Sequence, residues 1–428
     1  MTAAATTHER AEPPDVFDPR VFARGLPHAA FRALRDSAPV CWQAEHEVEG
    51  WPAGPGFWAV TRHADVKHVL RTPEVFSSQL GATQIRDPDP DDLPFIRRMV
   101  LNMDPPEHVR LRRLITSVFT RRRLERFTDA VTERARHLID AVAERGRCDL
   151  PVEVTDDFPL SNLADLIGVP AADRHLMLEW TNRVIGYQDD EHAEVVVDGQ
   201  GRPVNPRSPR MLGDMFDYAG ELAAAKRAHP ADDLMTALVH AEVDGRGLTD
   251  AELRMFFFLV VIAGNDTVRS ALPGGLLALI DHPEEYRRLR DRLELLPTAI
   301  EEMLRWHPPV LSFRRTAARD TELAGQAIHA GDKVVVYHAS AHFDERVFPD
   351  PLRFAITRDP NPHIAFGQGP HLCIGAHFAR LQMRIFFTEV LTRLPPMELE
   401  APVTRLTSNF INGITHMPVR WTAPVRAT

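Results

Sequence analysis

The sequence predicts a mainly α fold with a small β-rich lobe. Three observations carry that expectation. From about residue 107 to residue 300 the apolar positions recur with helical period, broken by one polar, Gly- and Pro-rich stretch from Asp189 to Arg210 that reads as a mobile loop. The β-prone runs are few, short and set off by turn residues: Phe57-Trp58-Ala59-Val60-Thr61 after the approach Gly50 to Gly56, and Val334-Val335-Val336-Tyr337 after Gly331-Asp332. No repeat, low-complexity tract or linker divides the 428 residues, so one domain is expected over 17–428 behind a loose polar tail at 1–16.

The elements follow in order. Ala64 to Arg71 reads as a helix. Residues 77–100 read as irregular, with Asp87-Pro88-Asp89-Pro90-Asp91-Asp92 a solvated loop, because the run lacks the spaced ligands and glycine of a calcium loop. In Asn102 to Arg112 proline starts a helix that sets His108 and Arg112 at i, i+4, two donors on one face that suit an anionic group. Thr249-Asp250-Ala251-Glu252 is a capping box, and the helix it opens runs to Asp281-His282-Pro283. Thirty-odd residues span roughly 45–50 Å, enough to cross a whole domain.

The middle of that helix, Ala263-Gly264-Asn265-Asp266-Thr267, sets small residues and an acid–alcohol pair after an apolar run. Small residues leave room for a ligand, and the Thr267 hydroxyl can turn back to a carbonyl. Pro273 inside the helix is expected to kink it. Pro297 opens a further helix, closed by Pro308-Pro309, on which Glu302 and Arg305 share a face. Asn409 to Val419 reads as a hairpin turning near Asn412-Gly413.

Composition narrows the function. Lys+Arg 50 against Asp+Glu 60 gives a formal charge of −10, which argues against nucleic acid and anionic membrane partners. Three scattered cysteines, Cys41, Cys148 and Cys373, exclude a disulfide scaffold, a zinc ribbon and a cysteine-ligated iron–sulfur cluster, and suit a reducing cytoplasm. The first residues hold no apolar signal or membrane anchor, and the apolar run Met255 to Ala263 is far short of the roughly 20 residues a span needs. No P-loop, dinucleotide fingerprint or nucleophile elbow occurs, so electrons for any redox step must come from a separate protein.

The most informative segment is Phe366-Gly367-Gln368-Gly369-Pro370-His371-Leu372-Cys373-Ile374-Gly375, one cysteine inside a glycine-rich loop with a helix-like stretch behind it. A free cysteine is ordinarily a small buried hydrophobe. Here the glycines let backbone approach the sulfur, and the amides of Ile374, Gly375 and Ala376 are expected to point at it and lower its pKa. Such a cysteine can serve as a single axial thiolate to a haem iron.

The frame F-G-x-G-x-H-x-C-x-G resembles the haem-binding signature of the cytochrome P-450 superfamily, and the resemblance extends over nearly the whole chain. It implies the cytochrome P-450 fold, a haem b held by Cys373, and a soluble bacterial, cytoplasmic monooxygenase that uses O₂. Phe366 and Gly375 would pack at the sulfur, while His108, Arg112, Arg315 and His371 would bind the haem propionates. Ala263 to Thr267 resembles the oxygen-activation motif A-G-x-D/E-T, with Thr267 a hydrogen-bond donor to the oxygen under activation and Asp266 a proton relay. Val268 stands where related sequences carry a second threonine. Glu302 and Arg305 would close a buried structural network with Arg353, behind the haem.

A pocket is expected from Leu259, Ile262, Ala263, Leu311, Phe313, Phe410 and Ile411, which is mostly apolar and implies a bulky hydrophobic substrate. Asn265 and the segment Ser408 to Gly413 resemble the branch acting on sterols, methyl-branched lipids and terpenoids. A ferredoxin with its reductase is the implied electron source, docking where Arg110, Arg112, Arg113 and Arg121 to Arg123 concentrate positive charge. Three other readings stand beside this one: a peroxide-driven enzyme of the same fold, which would lack the acid–alcohol pair, a non-catalytic haem-binding protein, which need not keep it, and a tailoring oxidase of a secondary-metabolite pathway.

Overall fold

The computed structural model describes residues 13–48, 51–185, 204, 208 and 211–422. Helices make up most of it, and they gather around one, Asp250–Asp281. Its N-terminus is the expected capping box: the Thr249 side chain accepts from the Glu252 N–H, and the Glu252 carboxylate accepts from the Thr249 N–H at 2.8 Å. The helix runs unbroken through Pro273. Against it pack Asp157–Ile167, Arg174–Ile185, Gly213–Ala228, Leu296–Trp306 and Ala376–Arg393. Among the described residues it is the one helix long and apolar enough to cross a membrane, but 72% of its apolar window is buried in the protein, so its apolarity is that of a core. Gly264 belongs to this packing: a Cβ there would lie 3.0 Å from Leu163 Cδ1, so the glycine admits a neighbouring helix and the room for a ligand falls to Ala263.

The β-rich lobe is a five-stranded sheet in the order Val40–Gln43, Phe57–Val60, Lys333–Tyr337, Ser312–Ala317, Phe76–Ser77. Phe57–Val60 and Lys333–Tyr337 run parallel, and the other pairs are antiparallel. The strand expected at Phe57, the helix expected from Ala64 (His63–Arg71) and the strand expected at Val334 are all present.

Several expectations need correction. The tail ends earlier than residue 16: Val16 and Phe17 are fully buried, and the Val16 carbonyl accepts from the Tyr337 hydroxyl at 2.6 Å. The hairpin near Asn412-Gly413 is replaced by a longer tip. Ile414–His416 pairs back to Thr404–Arg405, and Pro418–Arg420 joins Glu398–Leu399 and Arg147–Asp149. The amides that a two-residue turn would have used are drawn elsewhere. The Ser408 hydroxyl accepts from the N–H groups of Phe410 and Ile411, and Asn412 N–H donates to the Pro309 carbonyl at 2.9 Å. Asp87, in the acidic run, is an ion-pair partner of Arg314 and Lys333 and is not simply solvated. The loop expected from Asp189 to Arg210 lies, but for residues 204 and 208, outside the described residues.

The Glu302–Arg305 pair is fully buried, with Arg305 Nε and Nη2 donating to the two carboxylate oxygens at 2.7 and 2.8 Å. Arg305 Nη1 also ties down the carbonyls of His342 and Pro351. The arginine that completes the network is Arg358, whose Nε lies 3.2 Å from both Glu302 oxygens. Arg353, expected in that place, is exposed and offers its backbone carbonyl to Arg305 and Arg358. Breaking a buried ion pair from one side costs about 3–5 kcal/mol, whereas an exposed side chain is usually worth less than about 0.5 kcal/mol. Arg358→Ala leaves Glu302 its pair with Arg305 but removes a charged hydrogen-bond partner, so it should lower the unfolding free energy in a urea titration by about 1.5–3 kcal/mol, and Arg353→Ala should leave it within error of the parent.

Candidate functional site

The cysteine loop is a tight backbone structure entered through Gly367 and Gly369, at φ +75° and +72°. A Cβ on Gly369 would lie 2.5 Å from the Leu70 carbonyl oxygen, so only glycine fits beneath the helix His63–Arg71. Cys373 N–H donates to the Phe366 carbonyl at 2.8 Å, and Ala376 begins the helix Ala376–Arg393. The Cys373 side chain is exposed although the chain is dense around it. Burial pushes this thiol up, against the amides of Gly375 and Ala376 and the charges of Arg112 and Arg380, and burial prevails. The expected net lowering is absent, and Ile374 is not among the contributing amides. A loop of this kind needs a cation at the sulfur to make it a thiolate, since a coordinating thiol is deprotonated outright.

Phe366 is held by a residue that the sequence reading did not single out. The Arg380 guanidinium lies 4.3 Å over the Phe366 ring and donates to Glu301 at 2.6 and 2.7 Å. Burial raises the Glu301 carboxyl, but its bonds to Arg380 and His363 outweigh that and bring it to about 2. The available signal was the double acid Glu301-Glu302, one carboxylate more than Arg305 can use.

Four donors gather beside the loop. His108 is buried with Nδ1 unpartnered, and its ring stands 4.1 Å from that of His371. Arg315 is 3% exposed, and its Nη1 donates to the Arg314 carbonyl at 2.8 Å. Arg112 donates to the Leu372 carbonyl. Among the described residues neither Arg112 nor Arg315 has an ion pair; Asp104, the carboxylate acting on this group, is taken up by Ser77 and the Ser78 N–H. Burial, then Arg315, His108 and Arg112, push His371 down to about 2, and burial pushes Arg315 down to about 10. Two guanidinium groups without an ion pair thus stand beside two uncharged imidazoles, a donor set suited to anions. It fits the two carboxylates of a haem, and with the uncovered Cys373 sulfur it passes the test that the resemblance sets.

On the long helix, Ala263 is exposed although most of that helix is buried, and the Thr267 hydroxyl donates back to the Ala263 carbonyl at 2.8 Å. Asp266 is 4% exposed, with Arg269 Nη1 3.8 Å away. Arg269 in turn donates to Asp156 at 2.7 Å and Asn182 at 3.2 Å, and the Asp156 side chain is 25% exposed. A polar chain thus leads from Asp266 toward the surface.

Asp266 and Thr267 border a mostly apolar cavity. Leu259, Ile262, Ala263, Phe313, Phe410 and Ile411 line it as expected. Leu311 does not: it lies just before the strand Ser312–Ala317 and is fully buried in a separate apolar cluster with Phe17, Phe31 and Tyr337. The wall that the sequence reading missed is Ala82 to Asn102, including Phe95, Ile96 and Met99. The hydrophobes in that stretch were the available signal, masked by its lack of period.

Comparisons with known proteins agree with this geometry. The Cytochrome P450 family model matches residues 221–411. The steroid C26-monooxygenase of Mycobacterium tuberculosis is 37% identical over 416 residues, covering 95% of this chain and 92% of that protein. The methyl-branched lipid omega-hydroxylase of the same organism is 38% identical over 397 residues, covering 92% and 90%. Among solved structures, a Mycobacterium marinum cytochrome P450 in complex with pseudoionone superposes with a TM-score of 0.84 at 36% identity, covering 96% of this chain and 100% of that one.

Cys41 and Cys148 are buried elsewhere, and burial pushes the Cys148 thiol up to about 12. Reduced protein under carbon monoxide should show the red-shifted Soret band of a thiolate haem. Cys373→Ala should abolish that band, while Cys41→Ala and Cys148→Ala keep it; a band that survives Cys373→Ala would remove the thiolate assignment.

Proposed function

Because the chain belongs to the cytochrome P450 family, we propose that this monooxygenase hydroxylates a bulky hydrophobic substrate, a steroid or a methyl-branched lipid, with electrons from a separate ferredoxin. The observation that carries the substrate class is the cavity beside Ala263 and Thr267, walled by Phe95, Ile96, Leu259, Ile262, Phe313 and Phe410. Burying apolar surface there gives affinity at about 25 cal/mol per Å², and few polar groups restrict orientation. The names of the relatives favour the same chemistry. Titrating the oxidised protein with a C27 steroid and with a branched fatty acid, and watching the Soret band, tests it. No shift with either would sink the substrate class and leave the haem assignment standing.

When bound, the haem supplies the redox chemistry that divides dioxygen between substrate and water. The protein supplies place and protons. Cys373 would hold the iron, and His108, Arg112, Arg315 and His371 would neutralise the propionates. The Thr267 hydroxyl, which donates to the Ala263 carbonyl, would turn out of the helix to donate into the pocket. Asp266 would carry protons from the Asp156 side, with Arg269 holding it in reach of that chain. This acid–alcohol pair, set at the pocket wall, favours oxygen over a peroxide-driven reaction. Thr267→Ala should still bind substrate but divert electrons to hydrogen peroxide. Asp266→Asn should slow turnover by about 10²–10⁴-fold, the usual worth of a positioned proton donor. Full coupling of electron use to product in Thr267→Ala would exclude this role.

Ferredoxin docking would use the face around the cysteine loop, where the helix Arg121–Glu125 packs against Ala376–Arg393. The positive charge is thinner than the sequence suggests. Arg110 pairs with Glu107 and Glu252, Arg113 with Asp244, Arg121 with Glu125, and Arg112 turns inward to Leu372. Arg122 is exposed and has no ion pair among the described residues, so it is the cleanest probe. Arg122→Glu should slow reduction by ferredoxin several-fold at low salt, converge with the parent as salt rises, and leave substrate affinity unchanged. Stopped-flow reduction rates indifferent to both charge and salt would place docking elsewhere. A cytoplasmic location goes with this electron supply.

A further inference from the structure

Two buried cations meet on one carboxylate at the edge of the pocket. The strands Ser312–Ala317 and Lys333–Tyr337 are antiparallel with Arg314 opposite Val335, so Arg314 and Lys333 are diagonal neighbours on one face of the sheet. Their side chains are 5% and 3% exposed, and without anions they would repel each other where water cannot screen them. Asp87 serves both: one carboxylate oxygen lies 2.6 Å from Arg314 Nη1 and the other 2.7 Å from Lys333 Nζ. Glu45 takes Lys333 at 2.6 Å, so two cations face two carboxylates. Burial raises the Asp87 carboxyl, but Arg314 and Lys333 outweigh it and hold it below the ordinary aspartate value.

The same arginine grips the backbone beside Asp87. Arg314 N–H donates to the Thr83 carbonyl at 2.9 Å, and Arg314 Nη1 reaches the Ile85 carbonyl at 3.3 Å. The gripped stretch lines the pocket through Ala82, Thr83, Gln84, Arg86 and Pro88. Asp87 itself points away from the cavity lining, to the sheet, with 48% of its side chain exposed.

We propose that Asp87 is a positioning residue for substrate specificity: its carboxylate pins residues 82–88 to the sheet and so fixes one wall of the pocket. The proposal rests on the reading of this cavity as the substrate site. With the Asp87 charge removed, Lys333 keeps Glu45, Arg314 has no carboxylate, and one net positive charge remains at the junction. Lifting the 82–88 stretch to admit water relieves it, while Glu45 continues to hold Lys333 in the sheet.

Asp87→Asn is compared with Asp91→Asn, an exposed aspartate of the same acidic run. In hydrogen exchange on the substrate-free holoenzyme, Asp87→Asn should speed exchange in residues 81–88 at least tenfold and leave Asp250–Asp281 unchanged. Clotrimazole, whose imidazole nitrogen ligates iron and whose aryl rings fill the pocket, should bind at least fivefold more weakly by spectral titration. Imidazole alone, too small to reach the wall, should bind as before, and Asp91→Asn should match the parent throughout. Unchanged exchange and clotrimazole affinity in Asp87→Asn would overturn the proposal. So would faster exchange spread evenly over the long helix, which would make Asp87 a general stability residue. The exchange measurement needs no substrate, so an error in the substrate class would not by itself produce either negative result.

Discussion

A pair of adjacent carboxylates, Glu301 and Glu302, holds the thiolate side of the molecule together. Glu302 is fully buried between Arg305 and Arg358 and also accepts from the Ala355 N–H and the Asn361 side chain. That fixes the irregular chain from Pro349 to Asn361 to the helix Leu296–Trp306. Glu301, one residue earlier and so on another face, takes Arg380 from the helix behind the cysteine, and Arg380 covers Phe366. A long loop has no regular ladder to hold its backbone, so buried charge pairs must do so, and leaving one partner alone is expensive. The position of the cysteine loop therefore depends on two carboxylates that touch no reacting atom.

The strand Ser312–Ala317 distributes its side chains with the same economy. Phe313 faces the pocket, Arg314 grips the 82–88 stretch, and Arg315 enters the cationic group beside His108 and His371. Alternation along a strand sends neighbouring residues to opposite faces, and twist and register do the rest. The two arginines are consecutive, yet one meets carboxylates supplied by the protein and the other does not. That difference separates a structural cation from one kept for a ligand: Arg314 has Asp87, whereas Arg315, as deeply buried, has a backbone carbonyl.

Much of this was legible in the sequence because it rests on local chemistry. The capping box at Thr249, the Thr267 hydroxyl turned to the Ala263 carbonyl, and the helix that pairs His108 with Arg112 all follow from spacings of three or four residues. The failures share one cause: they depend on which distant chain arrives. Arg353 and Arg358 are equivalent until the 349–361 loop is folded, and then one guanidinium points inward and the other out. Leu311 is as apolar as Phe313, but it precedes the strand Ser312–Ala317 and packs with Phe17, Phe31 and Tyr337 instead of facing the pocket. The wall from Ala82 to Asn102 has no period to read because its hydrophobes face a cavity and not a helix or sheet partner.

The cysteine illustrates the same limit on charge. Its glycines and helix start suggested a thiol made acidic by the loop alone, and two of the three amides do contribute. Burial nevertheless exceeds them, because desolvation acts on the whole thiolate while each amide offers a partial charge. The loop is better understood as shaped for the metal than as activated without it. It presents the sulfur uncovered and leaves the last step of ionisation to coordination. The donors beside the loop follow the same logic with the sign reversed: burial and the charges of Arg112 and Arg315 push the His108 and His371 imidazoles down to their neutral forms, and carboxylates among them would favour the charged forms. Haem, with iron at one point and carboxylates at another, would answer both the thiol and the donors at once.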